Sequence, residues 1–452
     1  MKKLYILFAF CSVLSSFSQY NENAPWMKGL KTNANGEAKF KDIVNSFNDY
    51  WKDRDFSKKG SGYKPFKRWE NHWENLVNDQ GYLATPQEIK TAFEQKKQGN
   101  ASRNALSLPP SNWTPIGPFT HTNTGSWSSG QGRVNFVYVD PSNANTIYLG
   151  APAGGIWKST NNGASWTGLL DNLPQIGVSG IVVDHTNSNV IYIATGDKDS
   201  NDTYSIGVLK STDGGATWNT TGLTYGSNGS LIGDIMMDPT NNQILVCATN
   251  SGIFRTINGG NTWTNVRAGN FSQGAIRFKP GNASVIYATT GSKFFKSVNN
   301  GAAFTEIVGA IPGATRILID VTPNDANYVY ALASGSGGAL VGIFRSVDSG
   351  ATWAQTDAGT AIFDGSTQAG YDLAFAVSPT NKDELYTGCL NVWKSIDGGA
   401  TATKLNNWNL PFGAAYTHAD IHYLGFYSNK LFAGTDGGIY VSSNQEIGRA
   451  HV

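Results

Sequence analysis

The 452 residues carry 34 Lys+Arg against 33 Asp+Glu, with 15% charged and 40% apolar side chains. This balance excludes a disordered polyelectrolyte and a nucleic-acid binder recognisable by bulk charge, and the lack of a Gly-X-Y period among the 52 glycines excludes collagen. With 13 Trp and 19 Tyr, the chain is turn-rich and aromatic-rich, a composition suited to all-β architectures with many short strands.

Met1 to Ser18 reads MKKLYILFAFCSVLSSFS: two lysines, an apolar run from Leu4 to Leu14, then small residues at Ser16 and Ser18. These are the parts of a signal peptide, so residues 1–18 are expected to be cleaved and the chain exported. The run is too short to span a bilayer, and no later stretch approaches the roughly 20 apolar residues a membrane helix needs. Cys11 leaves with the signal. Cys247 and Cys389 lie in strand-like segments of different repeats and are read as separate buried thiols rather than a disulfide.

Residues 19–108 have a helical texture, in FKDIVNSFNDYWKD from Phe40, FKRWENHWENLV from Phe66 and TPQEIKTAFEQKKQ from Thr85. Thr85, Pro86 and Glu88 form a capping-box start. Phe47 and Trp51, and likewise Trp69 and Trp73, are one helical turn apart and predict apolar stripes. This region holds 15 Lys+Arg and 11 Asp+Glu, whereas Pro109 onward holds 17 and 22. The change near LSLPPSNW marks a boundary between a helical N-terminal region, read as a pro-region or cap, and a second domain spanning 109–445.

That second domain repeats itself. Each unit has an apolar strand, a second strand such as TIYLGA or VIYIAT, a third such as GIWKST, and then a turn. The turns read STNNGASW (Ser159 to Trp166), STDGGATW (Ser211 to Trp218), TINGGNTW (Thr256 to Trp263), SVNNGAAF (Ser297 to Phe304), SVDSGATW (Ser346 to Trp353) and SIDGGATA (Ser395 to Ala402), and a seventh begins at Ser442. Their first residues are spaced 52, 45, 41, 49, 49 and 47 apart, close to the ~40–50 residues of a four-stranded propeller blade. An all-β propeller of at least seven four-stranded blades is therefore predicted, preceded by a small α-helical region. The strand WTPIGP at Trp113 to Pro118 precedes the first complete unit and is positioned to complete the last blade, whose other strands run from His418 to Ser443.

The Ser-x-Asp-x-Gly-x-x-Trp turn resembles the Asp-box, or BNR, repeat of sialidases, sortilin-type receptors and xyloglucanase-type glycoside hydrolases, all β-propellers. Physically the turn reads as structural: a side-chain oxygen at the third position can accept backbone N–H groups, and Gly at the fifth supplies a left-handed conformation. Asn replaces Asp in three of the six complete turns, which suits a hydrogen-bonding cap and would ruin a catalytic acid. The whole arrangement resembles large secreted proteins of Gram-negative bacteria labelled sortilin-like or glycosyl-hydrolase-like, and this resemblance implies a secreted or cell-surface location.

Among candidate functional residues, THADIHYLGF stands out. On an innermost strand, the two-residue period would put His418, Asp420 and His422 on one face, able to contact a ligand or to line the channel with polar groups, although positions i to i+4 span roughly 13 Å, too far for three ligands on one ion. Asp197, Asp199, Asn201 and Asp202 share the loop TGDKDSNDTYSIG. Its D-x-D-x-N start resembles calcium loops, but Asp202 stands where an EF-hand has glycine and Val208 where it has glutamate. An irregular loop holding structural calcium and a solvated acidic loop are the readings left open, and no other cofactor is expected. Trp127, in the polar loop HTNTGSWSSGQGR, and Tyr204 are candidate aromatic platforms for a ligand.

A sialidase needs a three-arginine cluster, and no Arg-Ile-Pro motif is present. The xyloglucanase-type resemblance, carried by VNFVYVDPSNANTIYLGAPAGGIWKS, implies a catalytic acid at Asn135, where an amide can neither give nor take a proton. The reading is therefore a secreted, non-catalytic propeller that binds extracellular protein, peptide or polysaccharide, with a xyloglucanase-like glycoside hydrolase as the alternative. Finally, Ile447 to Val452 reads IGRAHV, the translation of a common sequencing-adapter string. Residues 446–452 are accordingly expected to be foreign, and the chain a fragment ending at Gln445.

Overall fold

A computed structural model describes residues 24–57, 61–104, 130–174, 176–357, 361–410 and 415–442. Trp127, the segment WTPIGP expected to form a strand, and the expected signal and adapter segments lie outside them.

The N-terminal unit ends at Ala84. Its helices α1 (Phe40–Trp51) and α2 (Tyr63–Trp73) form where the aromatic residues recur every three or four positions. They bury Phe40, Ile43, Phe47, Phe66, Trp69 and Trp73 in one aromatic core, in which the rings of Phe47 and Phe66 stack at 3.6 Å. Helix α3 (Pro86–Asn104) starts as its sequence requires: Glu88 Oε2 accepts the Thr85 amide at 2.7 Å, and Thr85 Oγ1 accepts the Glu88 amide at 3.2 Å.

From Phe136 the chain forms seven antiparallel sheets whose strands follow chain order, a seven-bladed β-propeller. The inner strands are Phe136–Val139, Val178–Asp184, Ile232–Asp238, Ile276–Lys279, Arg316–Val321, Ala374–Val377 and Ile421–Tyr427. Six blades have four strands, and the seventh has three among the described residues. Each inner strand lies against the next, and the last lies against the first. The ring is closed by the Gln131 and Val134 amides, which donate to the carbonyls of Gly437 and Thr435 at 3.0 and 2.9 Å, and by Tyr427, whose hydroxyl donates to the Val137 carbonyl at 2.9 Å.

Seven hydrophobic clusters each span two neighbouring blades, so the core is distributed around the ring. The second-strand tyrosines Tyr148, Tyr192, Tyr287, Tyr330 and Tyr386 are fully buried there. Cys247 and Cys389 are both buried free thiols.

The six repeated turns share one hydrogen-bonded form. In each, the first-position hydroxyl lies 2.7–2.9 Å from the third-position Asp or Asn. That hydroxyl also accepts the fifth-position Gly amide at 2.8–3.1 Å. The third-position Oδ1 accepts the seventh-position amide at 2.8–3.0 Å. Asn makes the same bonds as Asp, which explains their exchange. The fifth-position glycines have φ between 78° and 98°, and the fourth-position Asn162, Gly214, Gly259, Asn300, Ser349 and Gly398 also have positive φ, so two left-handed residues in succession reverse the chain.

Four of the six turns are also latched to the blade before them. The basic residue preceding the first-position Ser or Thr reaches the next blade's fourth-position carbonyl: Lys158 to Gly214 at 3.4 Å, Lys210 to Gly259 at 3.2 Å, Arg255 to Asn300 at 2.6 Å and Lys296 to Ser349 at 2.7 Å. A cation from the neighbouring blade thus hydrogen-bonds a turn carbonyl, and at Gly259 the Tyr192 hydroxyl donates to the same oxygen at 3.0 Å.

Candidate functional site

Polar side chains converge where the inner strands begin, at one mouth of the central channel. The organising element is the loop 196–206 of the second blade, between the strands Asn187–Thr195 and Gly207–Ser211. The Asp197 carboxylate folds the loop on itself, accepting the amides of Asp199, Ser200 and Asp202 at 3.2 Å and the Ser200 hydroxyl at 2.7 Å.

The same loop reaches five other blades. Asp197 and Asp202 accept from Arg133 at 2.5 and 3.0 Å, and Asn135 Nδ2 donates to Asp197 at 2.8 Å. Lys198 Nζ donates to the Gly233 carbonyl at 2.9 Å, and the Gln273 amide donates to the Lys198 carbonyl. Asp199 is bound by Arg316 at 2.8 Å and by His422 Nδ1 at 3.2 Å. A loop touching blades 1, 3, 4, 5 and 7 at their inner ends lies across the channel and plugs it. Blade 6 joins through Tyr371, whose hydroxyl accepts from Arg133 at 3.0 Å and donates to Asp436 at 3.0 Å.

Deeper in the channel, Arg277 bridges Asp234 and Asp320, each at 3.0 Å. The Tyr423 and Tyr427 hydroxyls pair at 2.8 Å.

The electrostatics follow from this pairing. Burial alone would raise the Asp199 carboxyl, but Arg316 and His422 hold it well below the usual carboxylate range. His422 is buried, which by itself would lower its pKa, yet hydrogen bonds to Asp199 and to Asp436, the latter at 2.9 Å, raise it to about 9. It is therefore an imidazolium at neutral pH, donating from both nitrogens. Burial, aided by the Asp420 charge, pushes the Asp372 carboxyl up to about 7, and Gln368 Nε2 donates to both acids, at 3.0 Å to Asp372 and 2.5 Å to Asp420.

The sequence expectation for His418, Asp420 and His422 is corrected here. The inner strand begins at Ile421, because the Ile421 amide is taken by the Cys389 carbonyl at 2.7 Å and Ile421 pairs with Thr435. Asp420 precedes it with φ 62°, and this left-handed residue turns the chain, so the three side chains do not share a strand face. His422 alone enters the plug network. Asp420 meets Gln368, and His418 lies over the backbone of Gly437.

The acidic loop residues come together, but with cations as partners. Asp197 and Asp199 face guanidinium and imidazole groups, Asp202 shares Arg133, and Asn201 serves the turn with φ 59°. Among the described residues, no group of three or more His, Cys, Asp or Glu side chains is arranged to hold a metal. Tyr204 lies half-buried in the same loop. The central roles of Arg133 and Arg316 were missed in the sequence. The available signal was a charged residue opening an otherwise apolar inner strand, in RVNFVYVD and RILIDV. Asn135 is 1% exposed beneath the plug.

Fold and site together define a seven-bladed β-propeller whose channel is closed at one mouth by its own loop. No family model matches the chain. A xyloglucanase of Acetivibrio thermocellus is 30% identical over 152 residues, 31% of this chain and 18% of that protein. A xyloglucanase of a Paenibacillus species is 30% identical over 165 residues, 34% of this chain and 16% of that protein. Among solved structures, the GH74 enzyme of Niastella koreensis superposes with a TM-score of 0.51 at 21% identity, covering 69% of this chain and 52% of that one. The GH74 xyloglucanase of Xanthomonas campestris gives 0.53 at 18% identity, covering 71% and 53%. The chain thus spans under a fifth of these curated relatives and about half of these solved structures. The structural likeness shows the fold, a β-propeller. Among the described residues, no helix is long and apolar enough to cross a membrane.

Proposed function

We propose that this chain is an exported, non-catalytic propeller that binds extracellular glycan, with protein as the other ligand class. The observation that carries the reading is the plug. A glycosidase needs two carboxylates flanking an open cleft, ~5–10 Å apart. Here Asp197 and Asp199 are 0% exposed at the side chain and ion-paired, and Asn135, an amide, lies buried beneath them. The kinship to xyloglucanases supports a glycan as the ligand.

The second reading, a xyloglucanase-like hydrolase, draws on those relatives' names and on Asp372 and Asp420, an acid pair sharing Gln368. Asp372 is 0% exposed and touches Cys389 Sγ at 3.6 Å, a setting closed to a sugar ring, so the binding reading is preferred.

The test is to incubate the purified chain with xyloglucan and with a panel of neutral and acidic polysaccharides, following both retention in affinity gels and release of reducing ends. Retention without release is expected. Release of reducing ends that disappears in Asp372→Asn would establish the hydrolase instead, and neither retention nor release would remove glycan as the ligand class.

A further inference from the structure

Blades 3, 4 and 5 enclose a cleft of about 470 Å³, within the range of small-molecule sites. Its walls are the connection from blade 3 to blade 4 and the link between the second and third strands of blade 4. In antiparallel blades these emerge on the same face as the plug loop, and Gln273, a cleft residue, is hydrogen-bonded to that loop. The polar lining includes Arg267, Asn270, Gln273, Ser292, Lys293 and Thr315, and no acidic residue lines the cleft.

An acid-free, doubly basic cleft runs against the charge of its surroundings, since the chain from Pro109 onward holds 17 Lys+Arg against 22 Asp+Glu. The channel arginines Arg133, Arg277 and Arg316 are all bound to aspartates. The Arg267 guanidinium instead lies over the Phe295 ring at 4.9 Å, with no side-chain hydrogen-bond or ion-pair partner among the described residues. The cation–π contact holds the guanidinium beside the ring, and its forked N–H donors suit a planar, two-oxygen acceptor, the geometry of a carboxylate. Lys293 adds positive charge, shared with Glu306 at 3.0 Å.

The rest of the lining argues for a sugar over a bare anion. The Gln273 amide nitrogen is committed to Lys198, so its carbonyl oxygen is left to accept from a ligand hydroxyl, which a fully ionised anion lacks. Asn270, Ser292 and Thr315 offer further donors and acceptors for a polyhydroxylated ring.

We propose that this cleft binds an acidic oligosaccharide through the carboxylate of a uronic acid unit, with Arg267 as the carboxylate anchor. The inference rests on the reading of the chain as a glycan-binding propeller and names the ligand class and the site.

The test is isothermal titration of the full chain with tri-galacturonate, with a neutral xyloglucan heptasaccharide and with inorganic phosphate. Tri-galacturonate is expected to bind in a salt-sensitive manner. Arg267→Gln should weaken it more than about tenfold, the loss of a charge-assisted bidentate contact. Arg267→Lys should recover part of that loss, and Lys293→Gln should weaken binding less. Arg267 is partly exposed, and circular dichroism checks that each variant folds. Heptasaccharide binding indifferent to Arg267→Gln, without uronate binding, would overturn the acidic assignment and leave the glycan reading standing. Failure of both sugars would overturn both. Phosphate binding as tight as the uronate would mark a simple anion site and overturn the sugar assignment.

Discussion

Replacing Arg316 with methionine tests whether the plug is held by charge. Arg316 is 4% exposed, with Nη2 2.8 Å from Asp199 and Nη1 donating to the Ala369 carbonyl at 3.1 Å. The variant strands a carboxylate that is 0% exposed and leaves His422 as its one ion-pair partner among the described residues. Breaking a buried pair from one side costs about 3–5 kcal/mol, against a whole-domain stability of about 5–15 kcal/mol. In a unit of this size each kcal/mol moves Tm by about 2 °C, so a fall of roughly 6–10 °C is expected by scanning calorimetry. Adding Asp199→Asn removes the stranded charge and should recover at least about 2 kcal/mol, a coupling a double-mutant cycle resolves. The sign of the pH dependence follows from Asp199. Its folded-state pKa is depressed, so its stabilisation is present above the unfolded value near 3.8 and lost as pH falls. The gap between Arg316→Met and the parent chain should therefore be widest at neutral pH and close on acidification. A loss under about 1 kcal/mol, or a double variant no more stable than the single one, would refute the claim that opposite charges hold the plug.

His422, its pKa raised to about 9 by Asp199 and Asp436 against the lowering effect of burial, with Arg133 also facing it, contributes stability that is full below the unfolded value near 6.5. That stability is lost as pH rises through 9, so Tm should decline across this window and His422→Gln should flatten the decline. Ser211→Ala removes the acceptor of the Gly215 amide, bound at 2.8 Å, and should cost about 1–2 kcal/mol in denaturant unfolding. Asp213→Asn should leave Tm unchanged, because Asn161, Asn258 and Asn299 already make the same bond. Lys210→Met removes one of the two blade-2 donors to the Gly259 carbonyl, leaving the Tyr192 hydroxyl, and should cost about 1 kcal/mol by the same measurement, a cost that would be absent if the latch were incidental. Burial pushes the Cys247 and Cys389 thiols up, so peptide mapping after treatment with a thiol reagent should find neither labelled until the chain unfolds.

Features decided within a few neighbouring residues were readable directly. The turn beginning at Ser211 closes on itself through Asp213 and Gly215, and α3 begins with a reciprocal pair three residues apart, so in both cases the spacing alone specifies the hydrogen bonds. Repetition of that turn then implied a ring, because one blade cannot bury both its faces alone. The plug behaves differently. Its composition reads as a solvated or calcium-binding loop, since the partners of Asp197 and Asp199 lie 64, 117 and 223 residues away, in Arg133, Arg316 and His422. The latch of Lys158 onto Gly214 is likewise invisible without the neighbouring blade. His418, Asp420 and His422 show the limit most sharply: a two-residue period orients side chains only where a strand exists, and the start of that strand at Ile421 was decided by pairing with Thr435 and with the carbonyl of Cys389. Short-range hydrogen bonds are encoded by spacing. Which distant charge neutralises a buried carboxylate is decided by ring closure, which brings the inner ends of the blades to one axis.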